Sequence, residues 1–146
     1  VNYYHWFKKM ASLKKTSIFD FSSSISFDLS IPCYLIPLMH GAAVSICSDN
    51  IKLNPKNYLS YLKEEHITHA EITPGYFSQL LTYEYIIKNL NSLKCLLLGA
   101  EALVKEDIKK YSDIIQQLRH VRFRDKLMYV IRHYNKIDSQ LTQPHP

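Results

Sequence analysis

The sequence predicts an α/β protein with a mostly parallel sheet and flanking helices, and two observations support this fold class. Short strand-like segments alternate along the chain with segments in which apolar residues recur at helical spacing. The connections between these segments are short, as is typical of strand–helix–strand units. A chain of 146 residues, 47% of them hydrophobic, is long enough to form one domain with a buried core.

The first third of the chain predicts two helices and two strands. Residues 1–10 place their aromatic side chains on one helical face, whereas residues 18–22 alternate between apolar and polar like a strand. Residues 29–39 are apolar on all sides, which predicts a buried helix, and Gly41 is typical of the position after a helix. The short apolar run at residues 42–47 predicts a buried strand.

The rest of the chain continues the alternation. Asn54 followed by Pro55 is a strong helix start, because Asn caps the first turn and Pro favours its first position. The same patterns predict strands at residues 69–72 and 93–98, and helices at residues 74–81 and 105–119.

The positive charge is concentrated near the C-terminus. The net charge is +5, and residues 119–136 hold six cations and one carboxylate, so the remainder is neutral. We therefore divide the chain into residues 1–118, the body, and residues 119–146, a basic segment that we expect to be poorly ordered. Because this segment interleaves cations with aromatic residues, an alternative function is a nucleic-acid-binding or non-catalytic interaction protein.

Cysteine use and hydropathy indicate a cytoplasmic protein. Cys33, Cys47 and Cys95 form no C-x-x-C pair and stand among apolar residues, so we expect three reduced core thiols. No apolar run is long enough to span a bilayer, and we expect no membrane partner. The N-terminal residues do not have the pattern of a signal peptide, and the first residue is Val1 rather than Met.

Four segments in order resemble the middle of the adenylation domains of nonribosomal peptide synthetases. They are residues 21–30 (FSSSISFDLS), 37–42 (PLMHGA), 67–76 (ITHAEITPGY) and 96–103 (LLLGAEAL). Residues 1–7 also resemble the helix after that family's phosphate loop, and the match extends to about residue 110. The wider group is the AMP-forming acyl-activating enzymes, which include D-alanine-activating ligases.

The resemblance implies that the chain is a part of the large domain of an adenylate-forming ligase. Family members use ATP and Mg²⁺ to convert an amino acid into an aminoacyl-adenylate, releasing pyrophosphate. They then transfer the aminoacyl group to the phosphopantetheine thiol of a carrier protein. The implied partners are therefore an amino-acid substrate and a phosphopantetheinyl carrier protein.

The resemblance also implies a substrate site. The Asp of the family's Phe-Asp-x-Ser motif, here Asp28, pairs with the α-ammonium of the substrate, a charge-assisted contact. From the residues alone, Asp28 is instead a helix N-cap. By the same matching the side-chain pocket is lined by Leu29, Pro32, Glu71, Leu97 and Gly99.

Glu71 is the most informative residue of this pocket. A carboxylate there indicates a polar or cationic substrate side chain, and the alternative is a solvated strand residue. His69 shares a strand face with Glu71, but two potential ligands do not define a metal site, and we predict none.

Several family motifs are missing. Phosphate loops need glycines for close backbone approach, but Gly41, Gly75 and Gly99 are isolated, and the serines at residues 22–24 do not replace such a loop. The aromatic-Gly-Pro-Thr-Glu motif, the ribose-binding Asp and the catalytic Lys are also absent. We therefore assign no catalytic residue and expect the chain alone to be inactive and to bind neither ATP nor Mg²⁺.

The join between the neutral body and the basic segment allows two interpretations. A frameshift or gene decay would produce a family-like body followed by an unfamiliar sequence, whereas a genuine short protein could have its own ending. A hydrolase is not indicated, because the chain contains no G-x-S-x-G motif.

Overall fold

A computed structural model describes residues 2–26 and 30–99 as a parallel sheet with helices on both faces. The strands are β1 (Ile18–Phe21), β2 (Ala43–Ile46), β3 (His69–Ile72) and β4 (Cys95–Leu98), in the order β2-β1-β3-β4. The helices are α1 (Asn2–Met10), α2 (Ser30–His40), α3 (Asp49–Lys52), α4 (Pro55–Glu64), α5 (Pro74–Leu80) and α6 (Glu84–Lys88), with a 3₁₀ turn at Leu81–Tyr83. This arrangement confirms the predicted α/β fold class.

Polar side chains cap the starts of α4 and α5, and the sequence predicts the first of these caps. The Asn54 side chain accepts hydrogen bonds from the backbone N–H groups of Lys56 and Asn57, and Pro55 opens α4. The Thr73 side chain caps α5 in the same way by accepting from the Tyr76 N–H. These two caps therefore determine where α4 begins after its preceding loop and where α5 begins directly after β3.

The sheet separates two apolar clusters, because successive strand residues face opposite sides. One cluster combines α1 and α2 with Phe19 of β1 and Leu97 of β4. The other combines α4, α5 and α6 with Ala70 and Ile72 of β3. Cys33, Cys47 and Cys95 are buried and form no disulfide, as the sequence predicts.

The outer side of α2 is apolar and exposed. Ile31, Leu35, Leu38 and Met39 follow one another at helical spacing, and their exposed fractions rise from 40% at Ile31 to 64% at Met39. The prediction of a helix buried on all sides is therefore wrong for this face, in the part of the chain that the structure describes. Within residues 2–26 and 30–99, no helix is long and apolar enough to cross a bilayer.

The short elements were not predicted. Helix α3 has four residues and α6 has five, so neither is long enough for a helical pattern to stand out. Each predicted strand that the structure describes is present but shorter by one or two residues, except β3, which matches. The prediction that residues 42–47 form a buried strand is wrong, because β2 lies at the edge of the described sheet and Ile46 is 78% exposed. The predicted helix at residues 105–119 and the division at residue 118 lie outside the described residues.

His66, between α4 and β3, adopts a left-handed backbone with φ of 52°. A side chain in this region is strained, so we expect His66→Gly to raise the free energy of unfolding by about 0.5–1 kcal/mol. Urea denaturation measures the change. Glu65→Gly is the matched control, because Glu65 has φ of −80° and its replacement should lower the free energy of unfolding. Equal losses from both changes would contradict the strain at His66.

Candidate functional site at the carboxyl end of the sheet

The predicted site residues that the structure describes lie at the carboxyl ends of β3 and β4 and on the first turn of α2. In open parallel sheets, ligands bind at this edge. Glu71 and Leu97 are register partners on adjacent strands, so their side chains project from the same face. Gly99 follows β4 and donates its backbone N–H to the Ile72 carbonyl at 3.1 Å.

Helix α2 lies against this group on the same face. Cys33 directs its thiol to the Oε2 atom of Glu71 at 3.4 Å, and Pro32, its neighbour in the chain, is buried. The structure thus brings Glu71 and Leu97 together, with the first turn of α2 against Glu71. Asp28 and Leu29 lie outside the described residues.

The electrostatics at Glu71 favour a neutral thiol beside a carboxylate. Burial and the neighbouring Glu71 raise the pKa of Cys33 far above its ordinary value, so the thiol remains a hydrogen-bond donor at any physiological pH. Glu71 itself is half-buried, which differs from the alternative of a fully solvated strand residue. A carboxylate at this place can pair with a cationic group of a ligand.

His69 lies two residues before Glu71 on β3, but its ring nitrogens contact other groups. Nε2 lies 2.9 Å from the Ala11 carbonyl oxygen, Nδ1 lies 2.7 Å from the Thr68 hydroxyl, and the ring stacks on Phe19. Across the part of the chain that the structure describes, no three His, Cys, Asp or Glu side chains are grouped as metal ligands are. His69 is therefore part of the core packing between β3 and the end of α1.

A buried polar network, which the sequence did not predict, lies at the carboxyl end of β1. Asp20 is only 1% exposed, and its Oδ2 atom accepts hydrogen bonds from Tyr58 at 2.5 Å and Ser22 at 2.6 Å. The Ser22 hydroxyl in turn accepts a hydrogen bond from Lys52 Nζ at 2.7 Å. Ser22 therefore bridges a carboxyl group on β1 and an ammonium group on α3. The Oδ1 atom of Asp20 is buried without a hydrogen-bond partner.

Burial shifts the titration of both charged members. It raises the pKa of Asp20, and Lys52, Ser22, Tyr58 and Tyr61 partly oppose that shift. Burial lowers the pKa of Lys52, and the charge of Asp20 opposes the shift most strongly. Each charge is therefore costly to bury and is stabilised by the other.

Two aromatic rings hold the Lys52 side chain in this position. Its Nζ atom lies 3.8 Å from the centre of the Tyr58 ring and 4.6 Å from that of Tyr76. The Tyr76 hydroxyl also donates to the Lys52 backbone carbonyl at 2.5 Å. The only indication of this network in the sequence was Asp20 itself, a carboxylate between apolar strand residues. Lys52 and Tyr58 come from distant segments of the chain.

The serines after β1 do not fit nucleotide phosphates. Ser22 donates its hydroxyl hydrogen to Asp20, so a phosphate placed there would face a carboxyl group instead of a donor. The described glycines, Gly41, Gly75 and Gly99, stand apart and form no glycine-rich loop. The described part of the chain therefore offers no phosphate cradle, and no chemical step through ATP or Mg²⁺ is assigned to it.

A four-stranded parallel sheet with flanking helices defines this as an α/β protein, and two solved structures share its fold. The crystal structure of CmiS6 has a TM-score of 0.67 at 18% identity, covering 77% of this chain and 27% of that one. Holo-AB3403, a four-domain nonribosomal peptide synthetase bound to AMP and glycine, has a TM-score of 0.63 at 25% identity. That match covers 75% of this chain and 8% of that one.

The chain belongs to the AMP-binding enzyme family, whose model matches residues 2–122. Surfactin synthase subunit 2 of Bacillus subtilis (strain 168) is 28% identical over 109 residues, which are 73% of this chain and 3% of that protein. The chain thus spans a small part of the length of its relatives. These matches confirm the resemblance to the adenylation domains of nonribosomal peptide synthetases.

Proposed function

We propose that this chain supplies the amino-acid pocket of an amino-acid-activating adenylation domain. The observation that carries the proposal is the juxtaposition of Glu71 and Leu97 beside the start of α2, where the family resemblance locates the substrate side chain. Asp28 pairs with the α-ammonium of the substrate in this proposal. Leu29, Pro32, Leu97 and Gly99 line the pocket, and Glu71 contacts the far end of the substrate side chain.

The preferred substrate in this proposal has a cationic side chain. Pro32 and Leu97 are buried and apolar, and the Cys33 thiol is neutral, so Glu71 supplies a negative charge beside these uncharged neighbours. A cationic substrate group would neutralise this carboxylate, whereas an acidic one would add a second negative charge. Lysine-like amino acids are therefore favoured over neutral ones, and neutral ones over acidic ones.

In this proposal, ATP and Mg²⁺ are bound by the complete adenylation domain of the family, and the phosphopantetheinyl carrier protein is the partner of that complete domain. The chain alone forms no aminoacyl-adenylate, because the phosphate-binding loop and the catalytic Lys are missing from its sequence. Amino-acid-dependent exchange of pyrophosphate into ATP measures adenylate formation. We expect no exchange with the chain alone, and measurable exchange would contradict this part of the proposal.

Calorimetric titration with lysine, leucine and glutamate tests the pocket. We expect lysine to bind most tightly, and we expect Glu71→Gln to weaken lysine binding about tenfold while leaving leucine binding nearly unchanged, because the amide keeps the shape but not the charge. Glu64→Gln, on the exposed end of α4, is the matched control. Equal affinity for the three amino acids, or an equal effect of both substitutions, would contradict the proposed pocket.

The basic segment supports the alternative of nucleic-acid binding, and it lies outside the described residues. Its cations would neutralise phosphates, so binding would weaken steeply with salt. Titration of the chain with single-stranded DNA at several salt concentrations measures this property. Tight, salt-dependent binding together with no amino-acid binding would favour the alternative over the amino-acid pocket.

A further inference from the structure

We propose that Lys52 and Asp20, joined through Ser22, are positioning residues that fix the start of the segment leading from β1 to α2. The expected effect on amino-acid binding rests on the proposed function, since Asp28 belongs to that segment in the sequence. The expected effect on the order of the segment rests on the hydrogen bonds of described residues alone.

The segment is anchored near both of its ends. At the β1 end, the Ser22 hydroxyl donates to Asp20 at 2.6 Å and accepts from Lys52 at 2.7 Å. At the α2 end, the buried Ser30 donates its hydroxyl to the Ile25 carbonyl at 3.4 Å. A change at Ser22 therefore acts on one end of the segment and leaves the other anchor in place.

The first anchor is rigid because its members come from packed elements. Asp20 lies in β1, which pairs with both β2 and β3, and Tyr58 is fully buried in α4. Lys52 is held between the rings of Tyr58 and Tyr76, and its carbonyl accepts from the Tyr76 hydroxyl. Three helices and the central sheet thus define the position of one serine hydroxyl.

Charge also favours a precise position for Ser22. Lys52 and Asp20 each lose hydration on burial, and the Ser22 hydroxyl gives each of them one hydrogen bond by accepting from Lys52 and donating to Asp20. Besides Tyr58 and Tyr76, the titratable groups among the described residues that act on Asp20 or Lys52 are Tyr61 of α4, Cys33 of α2 and Cys47 after β2. None of them takes the bridging place that Ser22 holds between the two charges.

Amide ¹⁵N relaxation of Ser22→Ala tests the inference. We expect the order parameters of residues 23–26 to fall below about 0.6, while those of β4 keep their values. Ser22→Thr retains the hydroxyl and should restore the order parameters. Ser23→Ala, in the same segment but outside the bridge, is the matched control and should change neither region.

Two results would overturn the inference. One is an unchanged set of order parameters at residues 23–26 in Ser22→Ala, and the other is an equal fall in residues 23–26 and in β4, which indicates a general loss of structure. The same variants are then titrated with lysine. We expect about tenfold weaker binding by Ser22→Ala and none of this loss in Ser22→Thr or Ser23→Ala.

The backbone measurement and the lysine titration together separate the inference from the proposed function. If the unchanged chain binds no amino acid but the order parameters change as expected, the proposed function is contradicted while the anchor is supported. If lysine binds and Ser22→Ala does not weaken it, Lys52 and Asp20 have no positioning role in the amino-acid site.

Discussion

Replacing Lys52 with Met is expected to lower the free energy of unfolding by about 3 kcal/mol at neutral pH, because removing one member of a buried charge pair leaves the other uncompensated. The remaining charge is Asp20, which is 1% exposed and already has an atom without a hydrogen-bond partner. Lys56→Met is the matched control, since Lys56 is exposed on α4, and it should change stability by less than about 0.5 kcal/mol. Urea denaturation measures both.

The loss in Lys52→Met is expected to depend on pH. The Lys52 charge lowers the pKa of Asp20 against the larger effect of burial, so its removal raises that pKa further. The loss should therefore be smallest below the ordinary Asp pKa of 3.8, where Asp20 is protonated in both states. It should grow as the pH rises towards neutral.

The double variant Asp20→Asn with Lys52→Met isolates the interaction between the two groups. An amide at position 20 keeps an acceptor for Ser22 and Tyr58 but carries no charge, so most of the lost stability should return at neutral pH. The same loss at every pH, or no recovery in the double variant, would show that Lys52 acts through packing alone.

Replacing His69 with Ala is expected to lower the free energy of unfolding by about 4 kcal/mol. The ring is 2% exposed, stacks on Phe19 with centroids 4.4 Å apart, and contacts the Ala11 carbonyl and the Thr68 hydroxyl. Truncation therefore leaves a cavity and removes hydrogen bonds that join β3 to the turn after α1. Thermal or urea unfolding measures the loss.

His5 provides the comparison for this change. His5 is exposed on α1, so His5→Ala should change the free energy of unfolding by less than about 0.5 kcal/mol. A loss below about 1 kcal/mol in His69→Ala would contradict a structural role for His69. It would also reopen the possibility that this ring belongs to a ligand site with Glu71.

The sequence predicts the fold well where local chemistry decides it. Asn54 and Gly41 mark helix boundaries through hydrogen bonds or backbone geometry that are set within a few residues. Strand order could not be predicted in this way. Phe19 pairs with His69, fifty residues later, and this pairing depends on tertiary packing.

In the candidate site too, the residues in local motifs were predicted and those that depend on tertiary packing were not. Glu71 and Leu97 were predicted from their motifs, and the parallel register brings them side by side. The network of Asp20, Ser22 and Lys52 was not predicted, because α3 is too short to show a pattern and a lysine is normally exposed. Only the packing of α3 and α4 over β1 reveals that this lysine meets a buried carboxyl group.

The outer face of α2 is apolar and exposed, and the chain spans only a small part of the length of its relatives. CmiS6 is matched over 27% of its length, so most of the relative's structure has no counterpart in this chain. Apolar helix faces of this kind promote association when nothing covers them. Binding experiments should therefore include light scattering, so that aggregation is not read as ligand affinity.

Amide chemical-shift mapping of the isotope-labelled chain during titration with lysine tests the amino-acid pocket most directly. We expect saturable shifts at Glu71, Leu97 and Gly99, which lie together at the carboxyl edge of the sheet, and no shifts at the exposed face of α4. Glu71→Gln should reduce these shifts at the same lysine concentration. Shifts confined to other parts of the chain, or none at saturating lysine, would contradict the assignment of this edge as an amino-acid site.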